Sequence, residues 1–259
     1  MNRRFVLAVA AVALLVGLAG CSMIFGGISD DDLDREEEYD DLRDSDADVA
    51  IDVTGGSLIG SGEFRAVYDL SETDELSLYR SSFYRDEALD IHSVRYWYPN
   101  GTEVTGSELD VDQGRSSTDI VVPDENGTLA FSGDAGSKTF QLPAFVAGSY
   151  EVTLPDNHRT SNFLFGDANP SGYERETVED GTRERLVWSD VDSTVSIRFY
   201  HTRDITLFAG LIGTVLLIGG AGIAYYYRQA KRLEEQRSEL GLDVDIDDDS
   251  DDGPPPGLR

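Results

Sequence analysis

The chain has 259 residues, with 50 acidic side chains against 21 lysines and arginines, for a formal charge of −29. That length holds one ordinary domain beside anchors and tails, and that charge argues against nucleic acid and anionic lipid headgroups as partners. With 40% hydrophobic and 10% aromatic residues, the composition argues for a packed core, with acidic disorder as the alternative. Lys138 and Lys231 are the only lysines. Acid enrichment with lysine depletion reads as the surface of a halophile. At about 1 M salt the screening length falls to about 3 Å, so a dense carboxylate surface is tolerated.

Met1-Asn2-Arg3-Arg4 is a basic start, followed by an apolar run of fourteen residues from Phe5 to Leu18. The run suits a signal peptide and is short for a membrane span. It closes in Leu18-Ala19-Gly20-Cys21, a lipobox. Cleavage is expected between Gly20 and Cys21, with lipid on Cys21, the only cysteine of the chain. A lone cysteine forms no disulfide within one chain. Arg3-Arg4 followed by Phe5 also fits a twin-arginine export signal. Residues 21–48 are rich in Asp and Glu and read as a solvated acidic tether, with an amphipathic turn around Leu33, Tyr39 and Leu42.

From Val49 to about residue 203 the hydrophobic period becomes two. Phe64, Ala66, Tyr68 and Leu70 alternate with Glu63, Arg65, Val67 and Asp69; Tyr150, Val152 and Leu154, then Val195, Ile197 and Phe199, repeat the pattern. Shorter strands are predicted at 76–79, 91–98, 119–122, 128–131, 139–142, 162–165 and 186–188. Turn clusters separate them, including Asn100-Gly101 and Asn126-Gly127, a pair suited to a type I′ hairpin turn. The expected fold is all-β: an extracellular antiparallel β-sandwich of immunoglobulin-like architecture, with a barrel as the alternative. Trp97 and Trp188 are candidate core centres.

Residues 205–227, ITLFAGLIGTVLLIGGAGIAYYY, carry no charge over twenty-three positions. As a helix they extend about 34 Å, enough to cross a hydrocarbon core of about 30 Å. Arg228, Lys231, Arg232 and Arg237 follow, so the positive-inside rule puts the C-terminus in the cytoplasm and the β domain outside. The first four residues carry +2 and the tail from Arg228 carries −5, which leaves −26 on the exterior part. Ala209, Gly213, Gly220 and Ala224 lie near one helix face at small-residue spacing, a means of self-association or of pairing with an envelope protein. Residues 228–240 suit a cytoplasmic helix, and the acidic, proline-ended remainder to residue 259 suits a disordered tail.

Few residues point to chemistry. His92, His158 and His201 are far apart in sequence and form no ligand spacing, so no metal or cofactor is expected. Asp110-Val111-Asp112-Gln113-Gly114 resembles the start of a calcium loop, but its glycine comes one position early and no glutamate closes it. The glycines between Gly56 and Gly62 lead into a strand, whereas a phosphate loop leads into a helix. Asn100-Gly101-Thr102 and Asn126-Gly127-Thr128 are candidate N-glycosylation sites at Asn100 and Asn126. With the lipobox, Tyr98-Pro99-Asn100-Gly101-Thr102, Gly148-Ser149-Tyr150-Glu151-Val152-Thr153-Leu154-Pro155 and the C-terminal span, the chain resembles a family of uncharacterised haloarchaeal membrane lipoproteins. That resemblance implies a double anchor and names no activity. The expectation is a membrane-anchored binding or structural module of the cell envelope, without catalysis. The alternatives are a sensor or assembly subunit engaging a cytoplasmic partner, and a cell-surface enzyme.

Overall fold

The structure, a computed structural model, describes residues 27–56, 61–81, 85–178 and 181–239. Gly20, Cys21, the signal peptide and the tail beyond residue 239 lie outside the described residues. The chain divides after Thr202 into a β domain and a helical unit. Strand makes up 42% of the described residues, so the all-β expectation holds for the domain.

Two short helical turns come first, α1 (Asp30–Leu33) and α2 (Asp40–Arg43). The strands follow: β1 (Val49–Thr54), β2 (Gly62–Asp69), β3 (Glu75–Ser81), β4 (Asp86–Ala88), β5 (Ile91–Trp97), β6 (Glu103–Thr105), β7 (Asp110–Gln113), β8 (Thr118–Val121) and β9 (Thr128–Ala135). Then come β10 (Thr139–Leu142), β11 (Gly148–Thr153), β12 (His158–Arg159), β13 (Asp167–Asn169), β14 (Glu174–Val178), β15 (Arg183–Val191), β16 (Val195–Arg198) and β17 (Tyr200–His201). An eight-stranded sheet runs in the order β14-β15-β11-β1-β2-β9-β5-β6, beside smaller sheets β4-β3-β8-β7, β10-β16-β13 and β12-β17.

One pair departs from the antiparallel expectation. β1 and β11 run parallel, with Ile51 opposite Val152. They are separated by most of the domain, so no tight hairpin dictates their direction. The predicted strand at 162–165 is a turn instead: the amides of Phe165 and Gly166 both donate to the Asn162 carbonyl, at 3.0 and 2.7 Å. Asn162-Phe163-Leu164-Phe165 carries no apolar–polar alternation that would sort it into two faces. The calcium-like stretch at Asp110 is strand β7, paired with β8.

Alternation sorts each strand into two faces. Inward, Val49, Ile51, Val53, Phe64, Tyr68 and Phe131 join Leu76, Leu78, Ile120, Phe140, Val195 and Ile197 from the smaller sheets in one buried cluster. The Phe64 ring meets Phe140 edge-on at 5.5 Å and Tyr68 stacks on Phe131 at 5.5 Å, geometries favoured by the ring quadrupole. Trp188 joins this core, its indole N–H donating to the Pro170 carbonyl at 2.8 Å. Trp97 does not. It faces outward into a second, smaller cluster with Tyr39, Leu42, Ala50, Val67 and Ala130.

The stretch expected to be a solvated tether is therefore, from Gly27 onward, part of the folded domain. Leu33, Tyr39 and Leu42 are buried while the acids between them face solvent. Gly106 permits this docking: a Cβ there would stand 2.9 Å from both the Leu33 Cβ and the Leu33 carbonyl oxygen.

The helical unit is α3 (Thr202–Glu239), 38 residues without a break. It contains the whole apolar run, and its leucines stay uncovered, with Leu216 69% and Leu217 77% exposed. The Thr214 hydroxyl donates to the Gly210 carbonyl at 2.9 Å, which satisfies a polar group inside the apolar stretch. By length and composition this helix is able to cross a membrane.

Candidate functional site

The outer face of the eight-stranded sheet carries two buried charges, Asp52 and Arg95, while a third, Glu184, lies on the same side of β15 as the core residues Leu186 and Trp188. Asp52 on β1 is 4% exposed. One carboxylate oxygen accepts from Arg65 of β2 at 2.6 Å and the other from Arg183 of β15. Arg65 is the residue opposite Asp52 in the ladder, so the pair follows from register. Burial alone would lower the Arg65 pKa; its bonds to Asp52 and Asp41 outweigh that and raise it. One strand further out, Arg185 meets Glu151, whose other oxygen accepts from Ser45 at 2.6 Å.

Arg65, with Arg95, also holds the N-terminal segment. Arg65 donates to the Glu38 carbonyl at 2.5 Å and to both carboxylate oxygens of Asp41 at 3.2 and 2.9 Å. Arg95, on β5, donates to the carbonyls of Asp34 and Arg35 at 2.9 and 3.1 Å. These carbonyls end a helical turn and lack helical partners, and a guanidinium fork suits them. Trp97 completes the seat, with the Tyr39 ring edge-on at 6.3 Å and the Arg43 guanidinium 4.2 Å from its ring centre. The Tyr39 hydroxyl donates to the Ser93 carbonyl and shares a second bond with Ser132, both 2.7 Å. Burial raises its pKa far above the ordinary value. Two carboxylates fasten the segment's ends. Bonds from Ser107 hold Asp34 below the usual carboxylate range, and bonds from Ser149 do the same for Asp48.

Clefts open along this seam. One, about 640 Å³, lies between Glu36, Glu37, Glu38 and Asp40 on one side and Arg95, Trp97 and Glu103 on the other. A second, about 380 Å³, is lined by Ser29, Asp32 and Arg35 of the segment with Asp90, His92, Gln113 and Asp134. A third, about 160 Å³, places Asp41, Asp44 and Ser45 against Glu151, Thr153 and Arg185. Such walls attract cations and hydrogen-bond donors. Arg35 is already paired with Asp32 at 2.8 Å, and that bond with one from Ser29 lowers the Asp32 pKa.

Of the residues singled out from sequence, His92 lines the second cleft, with Nδ1 2.9 Å from the Ser93 hydroxyl oxygen. His158 and His201 face each other across β12 and β17, their rings 5.1 Å apart. Among the described residues no group of three or more His, Cys, Asp and Glu is placed to hold a metal. Asn100 and Asn126 are both exposed. Neither sits in a type I′ turn, which needs positive φ at both central residues. Gly101 alone of the first pair has positive φ, at 84°. There Tyr98 accepts from Gly101 and donates to Thr102; Pro99 sets the turn and the glycine takes the left-handed position behind it. Gly127 has a different reason: a Cβ would lie 2.0 Å from the Tyr96 hydroxyl.

Arg65, Arg95 and Asp52 were not singled out from sequence. Their signal was there: arginines at outward positions of strands in a domain where bases are scarce.

No curated protein matches the chain. Among solved structures, an aminopeptidase N family protein from Idiomarina loihiensis aligns at 11% identity with a TM-score of 0.33, covering 58% of this chain and 29% of that one. The chain thus spans under a third of that protein's length, and so distant a likeness carries no argument. Residues 45–245, from just after α2 through every strand of the β domain and the whole of α3, match a family model, and the chain belongs to that Family of unknown function (DUF5803).

Proposed function

We propose that the protein is a membrane-anchored, salt-adapted module of the cell envelope, held by α3 and by lipid on Cys21, that binds or braces a partner with its β domain outside the membrane. The observation that carries this reading is α3: an unbroken helix whose uncharged run has no buried residue, followed by Arg228, Lys231 and Arg232. The seam clefts, walled by carboxylates, are the surface this reading assigns to a ligand. A cationic or donor-rich partner suits them, not nucleic acid. A second reading, a subunit that couples the exterior to a cytoplasmic partner, is favoured by the continuity of α3 through the basic segment to Glu239, since an unbroken helix transmits rotation or tilt.

The test is labelling of intact cells with a membrane-impermeant thiol reagent. Val121→Cys, on an exposed strand position, is expected to react from outside, and Ser250→Cys only after lysis. The opposite pattern overturns the orientation, and release of the protein by alkaline carbonate overturns the span. Mass spectrometry finding an unmodified Cys21 in the mature chain removes the lipid anchor.

A further inference from the structure

In the β domain, the described residues leave three large apolar side chains exposed: Val121, Phe163 and Leu164. A single exposed valine is ordinary. The other two are neighbours, 85% and 60% exposed, at the tip of one loop.

That loop is built to hold them out. Leu164 donates its amide to the Asn162 side-chain oxygen at 3.0 Å, and Phe165 and Gly166 donate to the Asn162 carbonyl. The loop's base closes tightly: a Cβ on Gly166 would lie 2.3 Å from the Thr160 carbonyl oxygen. Thr160 itself is pinned to the buried Glu184 through its amide, at 3.1 Å, and its hydroxyl. A loop so fixed keeps both side chains from folding back onto the domain.

Its position in the chain says what covers them. The Ser161 hydroxyl lies 3.2 Å from the Tyr200 hydroxyl, and the Phe165 ring packs 6.0 Å from the Tyr200 ring. Tyr200 is five residues before Ile205, where the apolar run begins. Five residues reach at most about 18 Å even fully extended. The loop is therefore tethered within reach of the surface that α3 enters, and an aromatic beside an aliphatic side chain is the pairing favoured at the headgroup–acyl boundary.

We propose that Phe163 and Leu164 insert into the bilayer interface beside the start of α3, as a third point of attachment that fixes the domain's tilt. The proposal rests on α3 spanning the membrane and holds whichever side the domain occupies.

The test uses the full chain in phosphatidylcholine vesicles containing lipid brominated on its acyl chains. Phe163→Trp and, separately, Leu164→Trp are compared with Val121→Trp and with Leu216→Trp inside the span, each after subtraction of the Trp97 and Trp188 signal. The expected result is blue-shifted emission and loss of fluorescence to bromolipid at 163, 164 and 216, but not at 121. Solvent-like emission at 163 and 164 with quenching at 216 overturns the proposal and leaves the span standing. A blue shift at 163 and 164 without quenching means that protein covers the loop, and also overturns it. No quenching at 216 removes the span and the proposal together. Unchanged circular dichroism confirms that each variant is folded, and two adjacent substitutions guard against one that is not.

Discussion

On the inner face of the eight-stranded sheet, rings and branched aliphatics from three sheets meet with almost no polar atom among them. On the outer face, three charged side chains, Arg65, Arg95 and Glu151, meet the backbone and side chains of an acidic segment that precedes the first strand, and Asp52 ties Arg65 to Arg183 behind them. The inner face is held by burial, which is non-directional and tolerates changes of detail. The outer face is held by directed bonds, each needing its partner in place. A domain with this surplus of acid has few bases to spend, and the outer face shows where arginines went: onto carbonyl groups and buried carboxylates. The segment is thereby bound through its main-chain carbonyls and through Asp34, Asp41 and Asp48, while Glu36, Glu37 and Glu38 are left facing solvent.

The widest separation between the faces is expected from Phe131→Ala. Removing a fully buried ring stacked on Tyr68 costs about 3–5 kcal/mol, a large share of the about 5–15 kcal/mol that holds a domain together. Urea unfolding of the detergent-solubilised full chain, followed by Trp188 fluorescence, is expected to show a lower midpoint. An unchanged midpoint would mean that the inner cluster is not what holds the domain.

Asp52→Ala asks the same of the outer face. It leaves Arg65 and Arg183 half-buried without their shared carboxylate, and breaking such a group costs about 3 kcal/mol or more. Because Asp52 is shielded from solvent, the loss is expected at low and at molar salt alike, unlike the loss of an exposed pair. A defect that disappears in molar salt would show that the pair behaves as a surface contact.

The smallest effect separates the segment from the sheet without unfolding either. Asp34 and Asp48 have folded pKa values below the ordinary carboxylate value of about 3.9. Their contribution is fully present above about pH 4 and is lost as pH falls through their lowered values. Digestion with pepsin, active in acid, is expected to cut within residues 30–45 as the pH drops below about 4, before the strands are attacked. Asp34→Asn is expected to loosen the segment already at neutral pH and to flatten that acid dependence. Simultaneous cutting of segment and strands would join what the two faces keep apart.

Much of the fold was legible in the sequence. The period of two at Phe64–Ala66–Tyr68 and at Val195–Ile197 marks strands because a half-buried strand must alternate, and β10 begins and ends where its pattern does. The apolar run at 205–227 needs no partner to be recognised. The seam clefts were not legible, and neither was the exposed Phe163–Leu164 tip, since a pair of apolar residues reads the same whether buried or displayed.

What the sequence by itself determined is therefore local: a helix of membrane length, a β-rich domain before it, a surface crowded with acid. Each depends on composition or on neighbours a few residues apart. Only the tertiary structure decided that the acidic segment from Gly27 belongs to the domain, that Trp97 serves the outer face and Trp188 the inner, and that β1 lies parallel to β11. Those outcomes depend on arginines and a glycine that meet residues about 30 to 130 positions away in the chain, and no periodicity records which distant partner a side chain will find.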